Sequence, residues 1–569
     1  MRVLLIDGYT DEPAGLGVPP YIDVYPRYIA GSVWAFDSHA EVIYMTIDSV
    51  RGRLDQLKEI SSSCDLSVLI AGVTVPGKYL SGAPATVKDV LRLPSFLTSK
   101  YTAICGPAVR FGFATGGGST ARIPKELDSL YNFVIRGDPE IVIHSLLKEN
   151  FSDRTDLEAV RSSSDVVNDY AVRGARIIQQ HPFYPDGLIC EIETFRGCPR
   201  SITGGCSFCT EPLHGLPDFR SIKGITSEIS SLASWGAKNF RLGRQPDILI
   251  YGSKDLDSPA PAPSPSSLRR LFSSIRRVAP SLRVLHIDNV NPSTIFNHPN
   301  ESEEALKVIV SHHTPGDVAA LGIESADEEV IRRNNLKVSP EGAMLAIEMI
   351  NEVGRERGEN GLPHLLPGVN FVYGLLGETR RTFDINLEFM REVLERGLMV
   401  RRINLRQVMV LPLTRMEAVG DYLVRKHKRL FLEHKKRMRS EIDVPMMKRV
   451  VPRWAVMREL RTELVEGNMT WARQIGSYPI LVGIPRRMPI GVFTDAVVLT
   501  HGPRSVSGLT VPMHINSLTM KELEAIPGIG SRRAASLIKN RPFKNAQELI
   551  SSIDDPSLIT PLIPLMEFK

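Results

Sequence analysis

Residues 196–209 read RGCPRSITGGCSFC and place three of the chain's six cysteines, Cys198, Cys206 and Cys209, within twelve residues. Three thiolates without a fourth partner nearby predict an iron–sulfur cluster in which one iron stays open to another ligand. Phe208, between the last two cysteines, is expected to shield that cluster from water. A structural zinc site is the alternative, but zinc usually takes four protein ligands, commonly in two pairs, and the chain has no second CxxC and no HxxxH.

The composition is that of an ordinary globular protein. The chain has 569 residues, 43% hydrophobic and 23% charged, which is enough for several domains. The start MRVLLIDGY reads as a buried strand and not as a secretory leader, and no apolar run approaches the roughly 20 residues that span a bilayer. Cys64, Cys105 and Cys190 lie in apolar strings and are predicted to be core residues. A cytoplasmic protein without a membrane partner is expected.

Residues 1–160 alternate short apolar runs with helical patterns. VLLID, LSVLIAGV and YTAICG are such runs, and several end in Gly or Asp, as buried parallel strands do. This alternation predicts an α/β fold with a doubly wound, flavodoxin-like sheet that binds ligands beyond the carboxyl ends of its strands.

Residues 183–422 repeat the alternation and predict a partial or full parallel (β/α) barrel, with the active site in the loops at the strand ends. The candidate strands are GLICEIET, NFRLG, VLHIDN, VAALGIES, VNFVYGL and INLRQVMVL.

Positive charge is concentrated after this region. Residues 425–449 hold ten Lys or Arg against three acidic residues, although the net charge of the chain is only +5. We expect a basic helical connection over residues 423–472, with either a face that attracts phosphates or a merely solvated surface. Residues 473–516 contain short strand-like runs and predict a small β module.

The tail, residues 517–569, predicts two helices joined by a tight turn. A capping box over Thr519–Glu522 begins the first helix, Pro527–Gly530 breaks it, and a second helix restarts at Ser531. The pattern resembles the helix-hairpin-helix motif, whose glycine-rich turn brings backbone amides to a nucleic-acid phosphate. Such motifs also serve as protein contacts, which is the alternative here. The expected nucleic-acid contacts are Gly528, Ile529, Gly530, Arg532 and Arg533.

The cysteine string resembles that of the radical S-adenosylmethionine (SAM) superfamily. The usual triad has three residues in its first gap, two in its second and an aromatic residue before the last cysteine. This chain keeps CSFC but has seven residues in the first gap. The resemblance implies a 4Fe–4S cluster whose open iron holds the amino and carboxylate groups of SAM. It also implies an electron donor such as ferredoxin or flavodoxin, and cleavage of SAM to a 5'-deoxyadenosyl radical.

The resemblance further implies SAM contacts at the strand ends. The string GRQ stands where the family binds the SAM amino group, although it lacks the usual Gly-Gly-Glu. The string LGIESAD corresponds to the segment that reaches the SAM ribose or carboxylate. The string NFVYGLLGET corresponds to the strand and turn beside the adenine. Each polar residue taken singly is as readily a helix cap or a turn. The expected cofactor contacts are Phe208, Gly243, Arg244, Gln245, Glu324, Ser325, Asn370, Tyr373, Gly374 and Glu378. No residue is assigned a catalytic role.

The flanking regions extend the resemblance over nearly the whole chain. GLGVPPY, GVTVPGKYL and RGDPE look like the cobalamin-binding-type domain that precedes many radical SAM barrels, although no DxHxxG string supplies a cobalt ligand. Some relatives bind cobalamin without that histidine and others have lost the cofactor, so bound cobalamin is left open. The β module resembles the RNA-binding barrel of methylthio-transferring radical SAM enzymes; a module that only covers the barrel mouth is the alternative. The domain order resembles archaeal radical SAM proteins with a C-terminal helix-hairpin-helix motif.

Three functions follow from these patterns. The first is a radical SAM enzyme that modifies a nucleic acid, RNA in preference to DNA, by adding a methyl or methylthio group. The second is a radical SAM enzyme that acts on a protein or a metabolite. The third is a nucleic-acid-binding iron–sulfur protein without turnover.

Overall fold

The N-terminal region forms a parallel sheet with helices on both faces. The computed structural model describes residues 1–11, 16–72, 80–114 and 117–568. The strands of this region are β1 (Arg2–Asp7), β2 (Tyr21–Ile22), β3 (Glu41–Thr46), β4 (Leu66–Ile70), β5 (Tyr101–Cys105) and β6 (Phe133–Val134). Its helices are α1 (Val24–Phe36), α2 (Ile47–Arg51), α3 (Leu54–Ser62), α4 (Val87–Arg92), α5 (Pro107–Phe111), α6 (Leu127–Leu130), α7 (Pro139–Lys148) and α8 (Asn168–Gly174).

The sheet runs in the order β3–β1–β4–β5–β6, and every pair is parallel. Alternate side chains of β1 enter two separate cores: Val3 and Leu5 pack on one face, and Leu4 and Ile6 on the other. The strand reads as one apolar run because neither face meets water. Of the segments that carry the cobalamin-type resemblance, Gly15 and residues 73–79 lie outside the described residues.

The central region contains two parallel sheets that together follow one curve. Its strands are β7 (Ile189–Glu193), β8 (Phe195–Arg196), β9 (Asp218–Phe219), β10 (Asn239–Gly243), β11 (Val284–Ile287), β12 (Asn289–Val290), β13 (Asp317–Glu324), β14 (Leu365–Tyr373) and β15 (Arg402–Gln407). Its helices are α9 (Ile222–Ser234), α10 (Pro265–Val278), α11 (Pro292–Asn297), α12 (Pro299–Val310), α13 (Glu328–Arg333), α14 (Pro340–Gly354) and α15 (Arg380–Glu395). All six candidate strands of this region are strands.

These sheets form an open half-barrel. One has the order β11–β10–β7–β2 and the other β12–β13–β14–β15. They meet at Asp288, whose carbonyl oxygen accepts a hydrogen bond of 3.0 Å from the Ala320 amide. Among the described residues no hydrogen-bonded ladder joins β15 back to β2 or β7. The half-barrel therefore has a gap between β2 and β15.

The basic segment is helical only in its first part. It contains α16 (Tyr422–Lys426), α17 (Lys428–Met438), a π-helical turn over Arg439–Asp443 and α18 (Val444–Val450). Strands follow at once: β16 (Val456–Glu466), β17 (Met469–Gln474), β18 (Leu481–Ile484), β19 (Phe493–His501) and β20 (Ser505–Val511). The expected helical connection over 423–472 is thus wrong beyond Val450. The sequence of β16, VMRELRTELVE, is rich in helix formers, but pairing with β17 and β19 decides its conformation.

The five strands close into a barrel in the order β16–β17–β18–β20–β19, with β18 and β20 parallel. This five-stranded barrel covers the gap in the half-barrel. The Tyr21 hydroxyl of β2 donates to the Gly476 carbonyl (3.0 Å), and Arg504 Nη2 donates to the Ile403 carbonyl of β15 (2.8 Å). The module also contacts residues that precede their strands: the Arg458 amide donates to the Asn360 carbonyl before β14 (3.1 Å), and Arg283 before β11 pairs with Glu459 (3.2 Å). This position, at the gap and the amino ends of the strands, differs from the alternative considered for the module, covering the barrel mouth.

The tail packs against the five-stranded barrel. Its elements are β21 (Met513–His514), α19 (Met520–Ala525), α20 (Ser531–Lys539), α21 (Ala546–Ser551) and β22 (Met566–Glu567). Leu499 and Leu509 of the barrel share a core with Leu523 and Leu537 of the tail. Every helix in the described part of the chain is too short or too polar to traverse a lipid bilayer.

Candidate active site

The cysteine loop leaves the end of β8 and folds into a compact turn. A short 3-10 segment over Pro199–Thr203 fills the long first gap, and Gly204 and Gly205 follow with φ of 78° and 63°. Both glycines adopt the left-handed conformation, which side chains disfavour. The seven-residue gap is therefore accommodated by one extra turn that brings Cys206 back toward Cys198.

A pair of asparagines after α13 holds this turn. Asn335 Nδ2 donates to the carbonyl oxygens of Gly205 (2.8 Å) and Thr203 (2.9 Å). Ser207 Oγ donates to Asn334 Oδ1 (2.8 Å), and the Ser207 amide donates to the Asn334 carbonyl (3.0 Å). Residues from the far side of the half-barrel thus fix the shape of the cysteine loop.

The three thiols are largely removed from water. Cys206 is buried, and Cys198 and Cys209 are half-buried. Burial raises the pKa of Cys198 to about 11 and also raises the pKa values of Cys206 and Cys209. Lys337 and Arg200 lower the pKa of Cys206 in part. Burial lowers the pKa of Lys337, but the Cys206 thiolate and the Glu324 carboxylate outweigh this effect and raise it.

This donor set fits an iron–sulfur cluster. No group of three or more His, Cys, Asp or Glu side chains within the described ranges surrounds a point where one metal ion could bind. In a cluster each thiolate binds a different iron, so the sulfurs surround a larger volume. Cys209 lies close enough to Cys206 and Cys198 for both to raise its pKa, and all three act on Lys337. A lysine in this position balances the negative charge that thiolate ligands bring.

Phe208 lies on the cysteine loop as predicted. It packs with Cys209 against an apolar cluster that includes Cys206, Leu375 and Val408. This cluster closes the loop against the ends of β14 and β15.

Glu324, at the end of β13, is a predicted SAM contact within electrostatic range of Cys206. Its φ is 68°, and burial raises its pKa to about 7, although Lys337 and Arg406 lower it. A Cβ added to Gly322 would lie 2.5 Å from Glu324 Oε1 and 2.6 Å from Lys337 Nζ. The Glu324 carboxylate and the Lys337 ammonium therefore both lie beside the backbone of Gly322, which has no side chain.

The segment Gly243–Gln245 lies at the end of β10, but its arginine is engaged. Arg244 forms ion pairs with Asp23 (3.3 Å) and Glu193 (3.6 Å). It ties the N-cap of α1 to the half-barrel, and its expected role as a SAM contact stays a prediction. Gln245 is buried, and its Oε1 has no hydrogen-bond partner among the described residues.

Two other predicted SAM contacts, Ser325 and Tyr373, interact with side chains or backbone of the protein itself. Ser325 Oγ accepts a hydrogen bond from the Asp327 amide (3.1 Å), which begins α13. The Tyr373 hydroxyl lies 2.6 Å from His434 Nε2, and its ring stacks on Phe383. Tyr373 thus joins β14 to α15 and α17, because its side chain lies on the outer face of the half-barrel.

Glu378 and Gly374 shape the turn after β14. The Gly374 amide donates to Glu378 Oε2 (2.6 Å), and His427 Nδ1 lies 2.8 Å from Glu378 Oε1. Gly374 has a φ of 89°. These contacts fix the shape of the turn, and the expected adenine contact of both residues stays a prediction.

A cavity of about 830 Å³ lies inside the half-barrel, between β14, β15, α17, α18 and the five-stranded barrel. Asn370, a predicted site residue, lines it and accepts a hydrogen bond from Asn404 Nδ2 (2.7 Å). Arg406 also lines it and lowers the pKa of Glu324. One residue that lines the cavity is thus within electrostatic range of Glu324.

Sequence reasoning missed Lys337, Asn335 and Arg406. Lys337 and Asn335 sit in the string NNLKVSP, which has no periodic pattern and becomes part of the site only through the fold. Arg406 did carry a signal, because an arginine inside a predicted buried strand needs a polar partner or a cavity.

In the tail, the turn between α19 and α20 is stabilised from within. Gly528 has a φ of 90°, and a Cβ there would lie 2.5 Å from Leu558 Cδ2. The Ile529 side chain is buried and its amide donates to the Ile526 carbonyl (2.9 Å). Gly528 and Ile529 thus stabilise the turn, and their expected nucleic-acid contacts stay predictions.

The exposed part of this turn is smaller than predicted. Gly530 has open space around its Cα, and Arg532 is exposed. Arg533 is engaged, because its Nε bonds Asp554 Oδ1 (2.6 Å) and its Nη1 donates to the Gly528 carbonyl (2.7 Å). Gly528, Gly530 and Arg532 are the predicted contacts that are exposed.

Several solved structures resemble this fold in part. TsrM from Kitasatospora setae, a radical SAM methyltransferase solved with tryptophan and a SAM analogue, has 15% identity and a TM-score of 0.47, covering 73% of this chain and 74% of its own. It has also been solved with cobalamin and a [4Fe–4S] cluster. OxsB, a cobalamin-dependent radical SAM enzyme, has 12% identity and a TM-score of 0.47, covering 76% of this chain and 56% of its own.

Sequence comparison finds much closer relatives. No protein-family model matches the chain. The chain is 44% identical over 518 residues to the uncharacterized protein MJ0274 of Methanocaldococcus jannaschii, covering 90% of this chain and 93% of the relative. It is 41% identical over 549 residues to an uncharacterized protein of Archaeoglobus fulgidus, covering 96% of this chain and 97% of that protein. The chain therefore belongs to the family of archaeal proteins that includes MJ0274 of Methanocaldococcus jannaschii and this Archaeoglobus fulgidus protein.

Proposed function

We propose that this protein is a radical SAM enzyme whose 4Fe–4S cluster is held by Cys198, Cys206 and Cys209. One observation carries the proposal: one buried and two half-buried cysteines lie within electrostatic range of Lys337, which also interacts with Glu324. With three thiolate ligands, one iron stays open for SAM.

The chemistry supplied by the bound cofactors is one-electron cleavage of SAM to a 5'-deoxyadenosyl radical, which removes a hydrogen atom from an unreactive carbon. The protein's own residues bind and position. Asn335 fixes the cysteine loop, Lys337 balances thiolate charge, and Glu324 offers a carboxylate to the polar atoms of SAM. The five-stranded barrel covers the gap between β2 and β15 and keeps bulk water from the reacting groups.

The substrate we propose is a nucleic acid, RNA in preference to DNA, and the added group is methyl or methylthio. The support is the exposed turn at Gly528, Gly530 and Arg532 in the tail, together with a cation-rich cavity inside the half-barrel. A metabolite is the second candidate substrate, since a cavity of about 830 Å³ is also of a size that holds small molecules.

Cobalamin is proposed as a further cofactor. The support is the position of the N-terminal sheet: Asp11, which follows β1, and Leu80, which lies between β4 and α4, both line the cavity. The carboxyl edge of that sheet, where such folds bind ligands, therefore faces the proposed reaction site. Uptake of hydroxocobalamin by the full-length protein, followed by its visible spectrum, tests this part independently.

The experiment is SAM cleavage by the anaerobically reconstituted full-length protein with a chemical reductant. We expect 5'-deoxyadenosine from the wild-type protein and none from Cys206→Ala. Cys190→Ala is the matched control, because Cys190 is a core residue in β7 and should retain product formation. Equal product from both variants, or none from the wild type with iron bound, would contradict the proposal.

A further inference from the structure

The cavity inside the half-barrel has an excess of positive charge. Eight of its lining side chains are cationic and three are carboxylates. The cations are Arg241, Arg401, Arg402, Arg406, Lys435, Arg439, Arg473 and Arg504; the carboxylates are Asp11, Asp288 and Asp443. The cations come from the half-barrel, α17 with the turn that follows it, and the five-stranded barrel.

Most of these cations lack an acidic partner. Arg241 pairs with Glu191 and Asp288, and Arg473 pairs with Glu463. The other six have no carboxylate oxygen within 4.0 Å in the described part of the chain. These unpaired cations are Arg401, Arg402, Arg406, Lys435, Arg439 and Arg504.

Neutral groups hold the innermost arginines in place. Arg401 Nη2 donates to the Tyr478 carbonyl, Arg402 Nε donates to Asn404 Oδ1 (2.6 Å), and the Arg402 guanidinium stacks on the Tyr478 ring at 4.4 Å. The side chains are thus ordered without being neutralised. Burial, and then repulsion from Arg402, lowers the pKa of Arg401 to about 9. Burial, together with repulsion from Arg406 and Arg504, lowers the pKa of Arg402 to about 10. Gathering unpaired charges costs free energy that a bound anion offsets.

The five-stranded barrel presents a specific face to this cavity. Its order is first–second–third–fifth–fourth strand, with the third and fifth parallel, which is the arrangement of an OB-fold barrel. Barrels of this type bind oligonucleotides on the second and third strands and on the loop between the fourth and fifth. Here Arg473 and Leu481 of those strands and Arg504 of that loop line the cavity. The face that such barrels use for binding is therefore turned toward the half-barrel.

We propose that this cavity binds the phosphates of an unpaired nucleic-acid strand and so delivers one nucleotide to the reaction site beside the cysteine loop. The inference rests on the proposed function and narrows its substrate to single strands. Lys435, Arg439 and Arg504 contact phosphates, and the aromatic surface of Tyr21 and Tyr478 faces the bases. A cavity of about 830 Å³ holds a few nucleotides and excludes a duplex.

Two double variants on neighbouring positions of one helix test the proposal. Lys435→Gln with Arg439→Gln removes two cavity cations. Arg429→Gln with Lys436→Gln removes the same charge from exposed positions outside the cavity. Both double variants also carry Gly530→Val, so that the tail contributes equally little to RNA binding in each. The probe is a fluorescent four-uridine RNA, titrated at several salt concentrations.

We expect the cavity variant to bind the RNA about tenfold more weakly and its salt slope to fall by about 1.4, since each phosphate contact on a single strand contributes about 0.7. The exposed variant should bind as its parent does. Equal weakening in both variants, no weakening in either, or tight binding of a four-base-pair duplex would overturn the proposal.

Two further measurements distinguish an RNA strand from a phosphorylated metabolite as the ligand, and failure of the cavity assignment from failure of the proposed function. Tripolyphosphate that binds the cavity where the RNA does not would overturn the assignment to a strand in favour of a phosphorylated metabolite. Binding is read without SAM or reductant, so Cys206→Ala should still bind the RNA while forming no 5'-deoxyadenosine. RNA binding that fails in a protein that still cleaves SAM would refute the cavity assignment alone.

Discussion

The side-chain nitrogen of Asn335 lies 2.8 Å from the carbonyl oxygen of Gly205, although 130 residues separate them. Asn335 itself has a φ of 49°, a left-handed conformation that asparagine and glycine tolerate best. A residue after α13 thus closes the cysteine loop, and its backbone is shaped for that contact.

Asn335→Gly is predicted to lower the iron content without unfolding the protein. Glycine keeps the left-handed backbone but removes both hydrogen bonds to the loop. We expect reconstituted iron to fall to about half or less, and the thermal midpoint to change by only a few degrees, about 1–2 kcal/mol for two lost bonds. Asn360→Gly, which removes an asparagine bonded to Pro315 outside the site, is the control. Full iron retention in Asn335→Gly would show that the loop holds its shape alone.

Glu228→Gln is predicted to destabilise the contact between the N-terminal region and the half-barrel. Glu228 bridges Arg27 of α1 and Arg220, and all three side chains are fully buried. Removing the charge leaves two buried guanidinium groups without their carboxylate, a loss of about 3–5 kcal/mol. The measurement is the urea midpoint of unfolding. Glu348→Gln, which breaks an exposed pair with Arg396, should leave that midpoint nearly unchanged; a similar shift in both variants would contradict this account.

Gly528 and Gly530 are predicted to respond differently to the same substitution. Gly528→Val meets Leu558 and takes a left-handed φ, so the tail should lose about 1–2 kcal/mol or more. Gly530→Val finds open space at a φ of −81° and should keep the thermal midpoint. It should nevertheless weaken nucleic-acid binding, because a side chain then blocks the amides of the turn. Unchanged binding of a long RNA to Gly530→Val would argue that the tail is a protein contact.

Binding of four-uridine RNA is predicted to weaken as the pH rises through about 6. Burial raises the pKa of Asp443 to about 6, although Arg504 and Arg439 lower it, and burial raises that of Asp11 to about 6, against Arg406 and Arg402. Below that pH both carboxyl groups are neutral; above it they add negative charge to the cavity while the phosphodiesters stay ionised. We expect roughly a tenfold loss between about pH 5 and pH 7.5.

Asp443→Asn is the matching variant for this pH effect. It should bind more tightly than the wild type at neutral pH and lose part of the pH dependence, because Asp11 still titrates while residue 443 no longer does. An affinity that rises with pH in the wild type would refute the assignment of these carboxyl groups to the binding site.

The parallel strands were predictable from sequence because they are buried on both faces. Val3 and Leu4 enter different cores, so β1 has no polar side to interrupt its apolar run. Strand β16 was not predictable, since its residues favour a helix and only the closure of the barrel makes it extended.

The candidate site was predictable where chemistry is local. Three cysteines close in sequence predict an iron–sulfur cluster, and Glu324 lies at the end of a strand that the sequence pattern predicts. Lys337 and Asn335 were missed because their roles depend on contacts across more than a hundred residues. The cavity was missed for the same reason: its unpaired cations come from three regions, and their lack of acidic partners is a property of the assembled fold.

The most direct test of the central claim is the electron paramagnetic resonance spectrum of the reduced, reconstituted full-length protein, recorded with and without SAM. The account predicts about four irons and four sulfides per chain and a spectrum that changes when SAM is added, because SAM binds the iron that has no cysteine ligand. A spectrum that SAM leaves unchanged, or a cluster retained after Cys198, Cys206 and Cys209 are all replaced by alanine, would contradict it.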